Sequence, residues 1–221
     1  MTVRLLNDQI TEQVRQVFTD MKEPVGVYLF EDKGDCQYCE DTAQLLQEVT
    51  ELSDKLSLDV YDLNESRDLA ERFHIDKAPG FLLVGKDGDQ VFDYGIRYFG
   101  IPAGHEFSSL IHDLLVVSSR DSGLKENTRR LLKDLKKPVH LQVFVTPTCP
   151  YCPQAVLLAH QMAIESPMIE AEMIEATEFP ELADRFNVSG VPQTTINQGA
   201  GTVVGAVPEE HLMAEILRAA A

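Results

Sequence analysis

The 221-residue chain has few basic residues, few cysteines and no long apolar run, and each shortage removes a class of function. Lysine and arginine number 19 against 36 acidic residues, a formal net charge of -17 that excludes nucleic acid and anionic membrane surfaces as expected partners. No window approaches the roughly 18 consecutive apolar residues that would span a bilayer. The opening segment, MTVRLLNDQITEQVRQ, turns polar after Leu5 and Leu6 and lacks the apolar core of a signal peptide, so a cytoplasmic location is expected. There are four cysteines, Cys36, Cys39, Cys149 and Cys152, and every one belongs to a C-x-x-C pair. None is left over for a long-range structural disulfide, which directs attention to catalysis or metal binding.

What the sequence does contain is a duplication. CPYC at 149–152 follows CQYC at 36–39 by 113 residues, and DRFNVSGVP (184–192) follows ERFHIDKAP (71–79) by the same interval. MKEPVGVYLF (21–30) matches LKKPVHLQVF (135–144) at 114, one extra residue before Cys36 accounting for the shift. The expected units are 1–119, carrying CQYC, and 120–221, carrying CPYC, with the turn-rich SSRDSG (118–123) at their boundary.

Each copy reads as an α/β unit. A polar–apolar helix (9–20; 124–135) leads into a β-rich run, VGVYLF or VHLQVFV, and the cysteine pair then opens a helix. A second strand (LDVYDL; MIEAEMI) and a short helix (SRDLAERF; FPELADRF) lead to the shared proline. Two apolar runs and a closing helix (106–117; 209–219) complete the copy. The Gly-rich NQGAG lies between two β-like runs and opens no helix, so it reads as a hairpin turn and not as a phosphate loop.

Thiol–disulfide exchange needs a thiolate that attacks and a second thiol close enough to resolve the mixed disulfide. Two intervening residues at a helix start supply that proximity, and the helix N-terminus favours the thiolate. Cys36 and Cys149 are therefore the expected nucleophiles, with Cys39 and Cys152 resolving. Pro150 and Pro153 suit the first helical turn, where a missing N–H lacks a helical partner anyway. Tyr38 and Tyr151 hold the third position of each motif, to shield sulfur, to contact substrate, or simply to pack. The rival is a four-thiolate zinc site, but 109 residues separate the pairs where about 15 to 20 are usual. The six histidines (74, 105, 112, 140, 160, 211) show no ligand spacing and read as surface or packed residues, so no metal is expected. Pro79 and Pro192 each lie 43 residues beyond the first cysteine of their copy. A strand-opening proline is one reading and a cis bond, about one X–Pro bond in twenty, is the other.

C-x-x-C at a strand-to-helix junction with a later proline resembles the thioredoxin fold, and TCPYC (148–152) resembles its glutaredoxin version. Two such units in tandem, with GIRYFGIPAGHEF at 95–107, resemble the two-unit protein disulfide oxidoreductases, also called glutaredoxin-like proteins. The resemblance implies two thioredoxin-like units, with mixed sheets flanked by helices and joined into one continuous sheet. It implies cis bonds before Pro79 and Pro192 facing Cys36 and Cys149, leaving the backbone of Ala78 and Val191 to hold a substrate strand; Tyr38, Pro150 and Tyr151, within the motifs themselves, are the other expected substrate-contacting residues. It implies reduction, formation or isomerisation of protein disulfides, with no cofactor beyond the redox-active disulfides. Electrons would come from a flavin-containing thioredoxin reductase and pass to partners such as peroxiredoxins. A narrower alternative is an electron-relay module serving one peroxidase reductase, though such modules typically keep a single working pair. Two features depart from thioredoxin: the chain has no tryptophan, and VHLQVFV carries no acid, so no proton acceptor for the resolving cysteine is named. In the first copy Glu31 and Asp32 come late, near the loop.

Overall fold

The structure, a computed structural model, describes residues 4–34 and 36–221. Its first half runs α1 (Asp8–Phe18), β1 (Val25–Glu31), α2 (Cys39–Thr50), β2 (Leu56–Asp62), α3 (Arg67–Arg72), β3 (Gly80–Asp87), β4 (Gln90–Phe99) and α4 (Glu106–Ser119). The second half repeats that order as α5 (Glu126–Lys133), β5 (Val139–Val145), α6 (Cys152–Glu165), β6 (Ile169–Glu175), α7 (Pro180–Arg185), β7 (Gln193–Ile196), β8 (Gly201–Val204) and α8 (Glu209–Ala220). NQGAG is a hairpin turn between β7 and β8, and Asn197 and Gln198 take left-handed backbone angles there. The fold is α/β, built of two thioredoxin-like units in tandem.

All the strands join one sheet in the order β2-β1-β3-β4-β6-β5-β7-β8. In each half the strand that precedes the cysteines is internal, parallel to β2 or β6 and antiparallel to β3 or β7. Its residues are therefore apolar on both faces: Val25 to Phe30 are all buried, as are Leu141 to Val145. The halves meet where β4 runs parallel to β6, with Ile96 opposite Ala171 and Phe99 opposite Ile174. That pairing covers two edges that would otherwise stay open to other chains. Gly95 makes it sterically possible. Its φ is +77°, and a Cβ there would stand 2.6 Å from the Ile169 carbonyl oxygen, so a side chain would push β6 away.

A buried arginine holds the same seam. Arg97 is 1% exposed, and its guanidinium donates to both Asp93 carboxylate oxygens at 2.8 and 2.7 Å while Nε donates to the Phe73 carbonyl at 2.7 Å. Burial would raise the Asp93 carboxyl, but the Arg97 hydrogen bonds and charge outweigh it and hold the group below its usual value. On one face of the sheet, α2, α4 and α6 cover a core that includes Leu46, Tyr98, Leu114, Val143 and Met162. On the other, α3 and α7 cover an aromatic cluster of Phe30, Phe73, Phe99 and Phe144. Among the described residues no helix is long and apolar enough to cross a membrane.

Candidate active site

Both cysteine pairs lie just beyond the C-terminal end of an internal strand. Sheet connections of this kind leave a crevice at the strand ends, because the chain must turn away from the sheet into a helix. The helices begin at the second cysteine: Cys39 opens α2 and Cys152 opens α6. Cys36 and Cys149 precede them in the capping turn, where the unpaired N–H groups and the dipole of the helix favour negative charge. Each pair is closed as a disulfide within its own motif, with Cα atoms 5.5 Å apart, so the four sulfurs do not surround one ion.

The two sites differ in access. Cys36 is partly exposed, Cys39 is buried, and Cys149 and Cys152 are 8% and 0% exposed. Tyr151 stands 68% exposed over the second pair beside the exposed Pro150, whereas Tyr38 is half-buried as the residue that caps α2.

The bonds Ala78–Pro79 and Val191–Pro192 are both cis. Each proline stands immediately before a strand that pairs with the end of β1 or β5, with Gly80 opposite Phe30 and Gln193 opposite Phe144. The two turns therefore flank the cysteine loops. In the second unit the contact is direct, since Cys149 Sγ lies 3.7 Å from the Val191 carbonyl oxygen. The Pro79 and Pro192 carbonyls accept from Gly100 at 2.9 Å and Gly205 at 2.7 Å, which anchors both turns to the neighbouring strands. Ala78 and Val191 themselves are half-buried, and Pro79 and Pro192 are buried.

The second site is also braced by the first unit. His105 donates its backbone N–H to the Pro147 carbonyl at 3.0 Å, just before the cysteine turn. Gly104, with φ +61°, lies so close to Pro147 that an added Cβ would collide with that carbonyl oxygen. From this contact α4 and α6 run side by side in the same direction. His160 Nδ1 and the Tyr98 hydroxyl both reach Asp113 Oδ2 at 2.5 Å, all three side chains being fully buried. Burial, with the Asp113 carboxylate beside it, keeps the Tyr98 hydroxyl well above its ordinary pKa of 10.0.

That helix pairing sets a buried carboxyl beside the start of α6. Glu106 opens α4 seven residues before Asp113, and Cys152 opens α6 eight residues before His160. At about 1.5 Å of rise per residue the two helix starts stand at nearly the same level. Glu106 is 1% exposed; one oxygen accepts from Ser109 Oγ at 2.6 Å and the other has no hydrogen-bond partner. Burial pushes its carboxyl from 4.5 up to about 7, with Asp113 adding to the rise and Ser109 opposing it. At the first site Glu31 ends β1, and burial, with Glu40 adding, raises it above the usual carboxylate value. Glu106 could not be found from the position of a strand acid; it enters through the GIPAGHEF segment of the other unit.

A thioredoxin-domain family profile matches residues 139–218. The crystal structure of a protein disulfide oxidoreductase from Aeropyrum pernix K1 superposes with a TM-score of 0.90 at 34% identity, covering 99% of this chain and 95% of that one. The N-terminal domain of the alkyl hydroperoxide reductase AhpF from Enterococcus faecalis gives 0.85 at 27% identity over 98% of this chain and 100% of that one. The alkyl hydroperoxide reductase AhpF of Staphylococcus aureus is 28% identical over 193 residues, which is 87% of this chain and 34% of that protein. The chain spans about a third of the length of the curated relatives it matches.

Proposed function

The chain belongs to the protein disulfide oxidoreductases, thioredoxin-fold enzymes that exchange thiols and disulfides, and from that premise we propose that both of its cysteine pairs act on protein disulfides. The observation that carries the reading is the repeated setting of each pair: the end of an internal strand, the start of a helix, and a neighbouring cis-proline turn. We divide the chain at 119/120, so that each unit supplies one dithiol.

In the reductive direction the Cys149 thiolate attacks one sulfur of a substrate disulfide, and the other leaves as a thiolate. Cys152 then loses its proton, and the buried Glu106 carboxylate is the acceptor in our reading. The resulting Cys152 thiolate attacks Cys149 Sγ, closes the 149–152 disulfide and expels the second substrate thiolate. Two electrons have passed to the substrate, and a dithiol donor or a thioredoxin-reductase-like enzyme restores the pair. Cys36 and Cys39 perform the same steps at the first site, with Glu31 nearby. Substrate backbone would align along Ala78–Pro79 or Val191–Pro192, with Tyr38, Pro150 and Tyr151 forming the rim. Oxidation of substrate dithiols runs the same steps backwards, the direction being set by relative reduction potentials. The cysteine usage supports a cytoplasmic setting.

The test is reduction of insulin disulfides with dithiothreitol as donor. The double variant Cys36→Ser, Cys149→Ser should lose the catalysed rate, and an unchanged rate would overturn the reading. Likeness to the AhpF alkyl hydroperoxide reductases supports a second reading, in which the chain passes electrons toward a peroxidase such as a peroxiredoxin. In that case one pair carries the flux, and Cys36→Ser or Cys149→Ser alone would leave peroxide reduction unchanged while the other abolishes it.

A further inference from the structure

Away from both cysteine pairs, the α3/α7 face of the sheet carries a cluster that the disulfide chemistry does not use. Glu170 and Glu172 alternate along β6 and so project from one face, and His140 on β5 stands opposite Glu170. One ligand atom from each of His140, Glu170 and Glu172 lies within 4.8 Å of the others. His140 Nε2 is buried and lies 2.7 Å from Glu172 Oε1. From the first unit a further imidazole reaches the Glu170 edge of the cluster. His74, in the turn after α3, places Nδ1 2.7 Å from Glu170 Oε2.

Charge around the cluster is unbalanced. Arg97 comes within 3.6 Å of Glu170, but its guanidinium is already held by both Asp93 oxygens. Lys77 is paired with Asp76. With those pairs neutralised, the Glu170 and Glu172 carboxylates remain, facing two imidazoles. Two carboxylates and two imidazoles are the donor set that a divalent ion of the zinc class takes, whereas calcium and magnesium prefer all-oxygen shells. Access exists as well, because His140 and Glu172 line two adjoining clefts of about 630 and 470 Å³.

We propose that His140, Glu170 and Glu172, completed by His74, form a binding site for a zinc-class divalent cation that ties the first unit to the second across the β4–β6 seam. The site is separate from the cysteines and independent of the disulfide chemistry. The alternative is a set of plain histidine–glutamate ion pairs with no appetite for metal.

The experiment is calorimetric titration of the full chain with zinc, every cysteine held in its disulfide so that no thiol competes. A variant with all four cysteines changed to serine serves as the control. The expected result is one saturable equivalent per chain, micromolar or tighter, in both proteins. His140→Gln or Glu170→Gln should weaken binding by roughly a hundredfold or more, since losing a ligand costs at least as much as losing an outer-shell partner. His74→Ala should weaken it less. Cobalt loading should give visible d–d bands without the near-ultraviolet charge transfer of a thiolate. Unfolding curves in chelator must match the unsubstituted chain, which separates loss of a ligand from loss of fold; because Glu170 is on the rim, its variant is the safer comparison. No saturable uptake up to millimolar zinc would overturn the proposal. So would uptake that survives both His140→Gln and Glu170→Gln, or that disappears in the cysteine-free chain.

Discussion

Replacing Glu106 with glutamine should strengthen the fold above neutral pH while slowing the second dithiol. A carboxyl that titrates at about 7 in the folded chain and at 4.5 when exposed binds its proton more tightly when folded. Its favourable share of stability is therefore complete below 4.5, declines as pH rises, and is lost above about 7. The gap between those two values, at about 1.4 kcal/mol for each pH unit, amounts to about 3 kcal/mol at pH 8. For a chain of this length that is at most roughly 6 to 12 °C in Tm. The glutamine amide forfeits part of it, because its own buried polar atoms need partners, at a cost of about 1 to 3 kcal/mol that does not vary with pH. The diagnostic quantity is thus the pH dependence. Denaturant unfolding of both oxidised proteins, run from pH 4.5 to 8, should show the variant gaining about 3 kcal/mol on the parent across that span. Glu178, also pushed to about 7 by burial, and His140, raised by its Glu172 contact against the opposing effect of burial, titrate in both proteins and cancel in the difference. In the insulin assay, with the first pair changed to serine, the variant should lose roughly a hundredfold near pH 7, the scale of a general base. A pH-independent stability difference together with an unaltered pH–rate profile would refute the role given to Glu106.

Other consequences follow from the seam and the rim. Gly104→Ala puts a Cβ against Pro147 at a left-handed backbone position, so it should cost about 1 to 3 kcal/mol in denaturant unfolding and slow the second pair more than the first. Arg97→Ala leaves Asp93 without its guanidinium partner, and a loss of about 3 to 5 kcal/mol is expected by the same measurement. Tyr151→Ala removes an exposed ring, so stability should stay within about 0.5 kcal/mol while the KM for insulin reduction rises. A Tyr151→Ala protein with an unchanged KM would remove the tyrosine from the substrate groove.

The sequence was most informative where function repeats at a fixed interval. The 113-residue offset places both cysteine pairs and both prolines, and the apolar runs VGVYLF and VHLQVFV read directly as the internal strands β1 and β5. What it concealed arises between the copies. Glu106, which in our reading serves the second site, belongs to the first unit, and only the parallel packing of α4 on α6 brings it to the level of Cys152. His140 and Glu170 are thirty residues apart, and it is their strand register that makes them neighbours, so the spacing of the histidines along the chain could not show the cluster. Nor does any local pattern announce that β4 will pair with β6; Gly95 is the residue that permits it, and a lone glycine in a strand-like run has several other readings.

Covalent trapping on single-cysteine chains tests the exchange chemistry most directly. Four proteins, each keeping one cysteine and carrying serine at the other three, would be mixed with a disulfide substrate and the adducts weighed by mass spectrometry. The chains keeping only Cys36 or only Cys149 should capture substrate through a mixed disulfide, and those keeping only Cys39 or Cys152, the cysteines that lie within α2 and α6, should not. Capture by Cys39 or Cys152 at equal speed, or by none of the four, would contradict the assignment of nucleophile and resolver in both units.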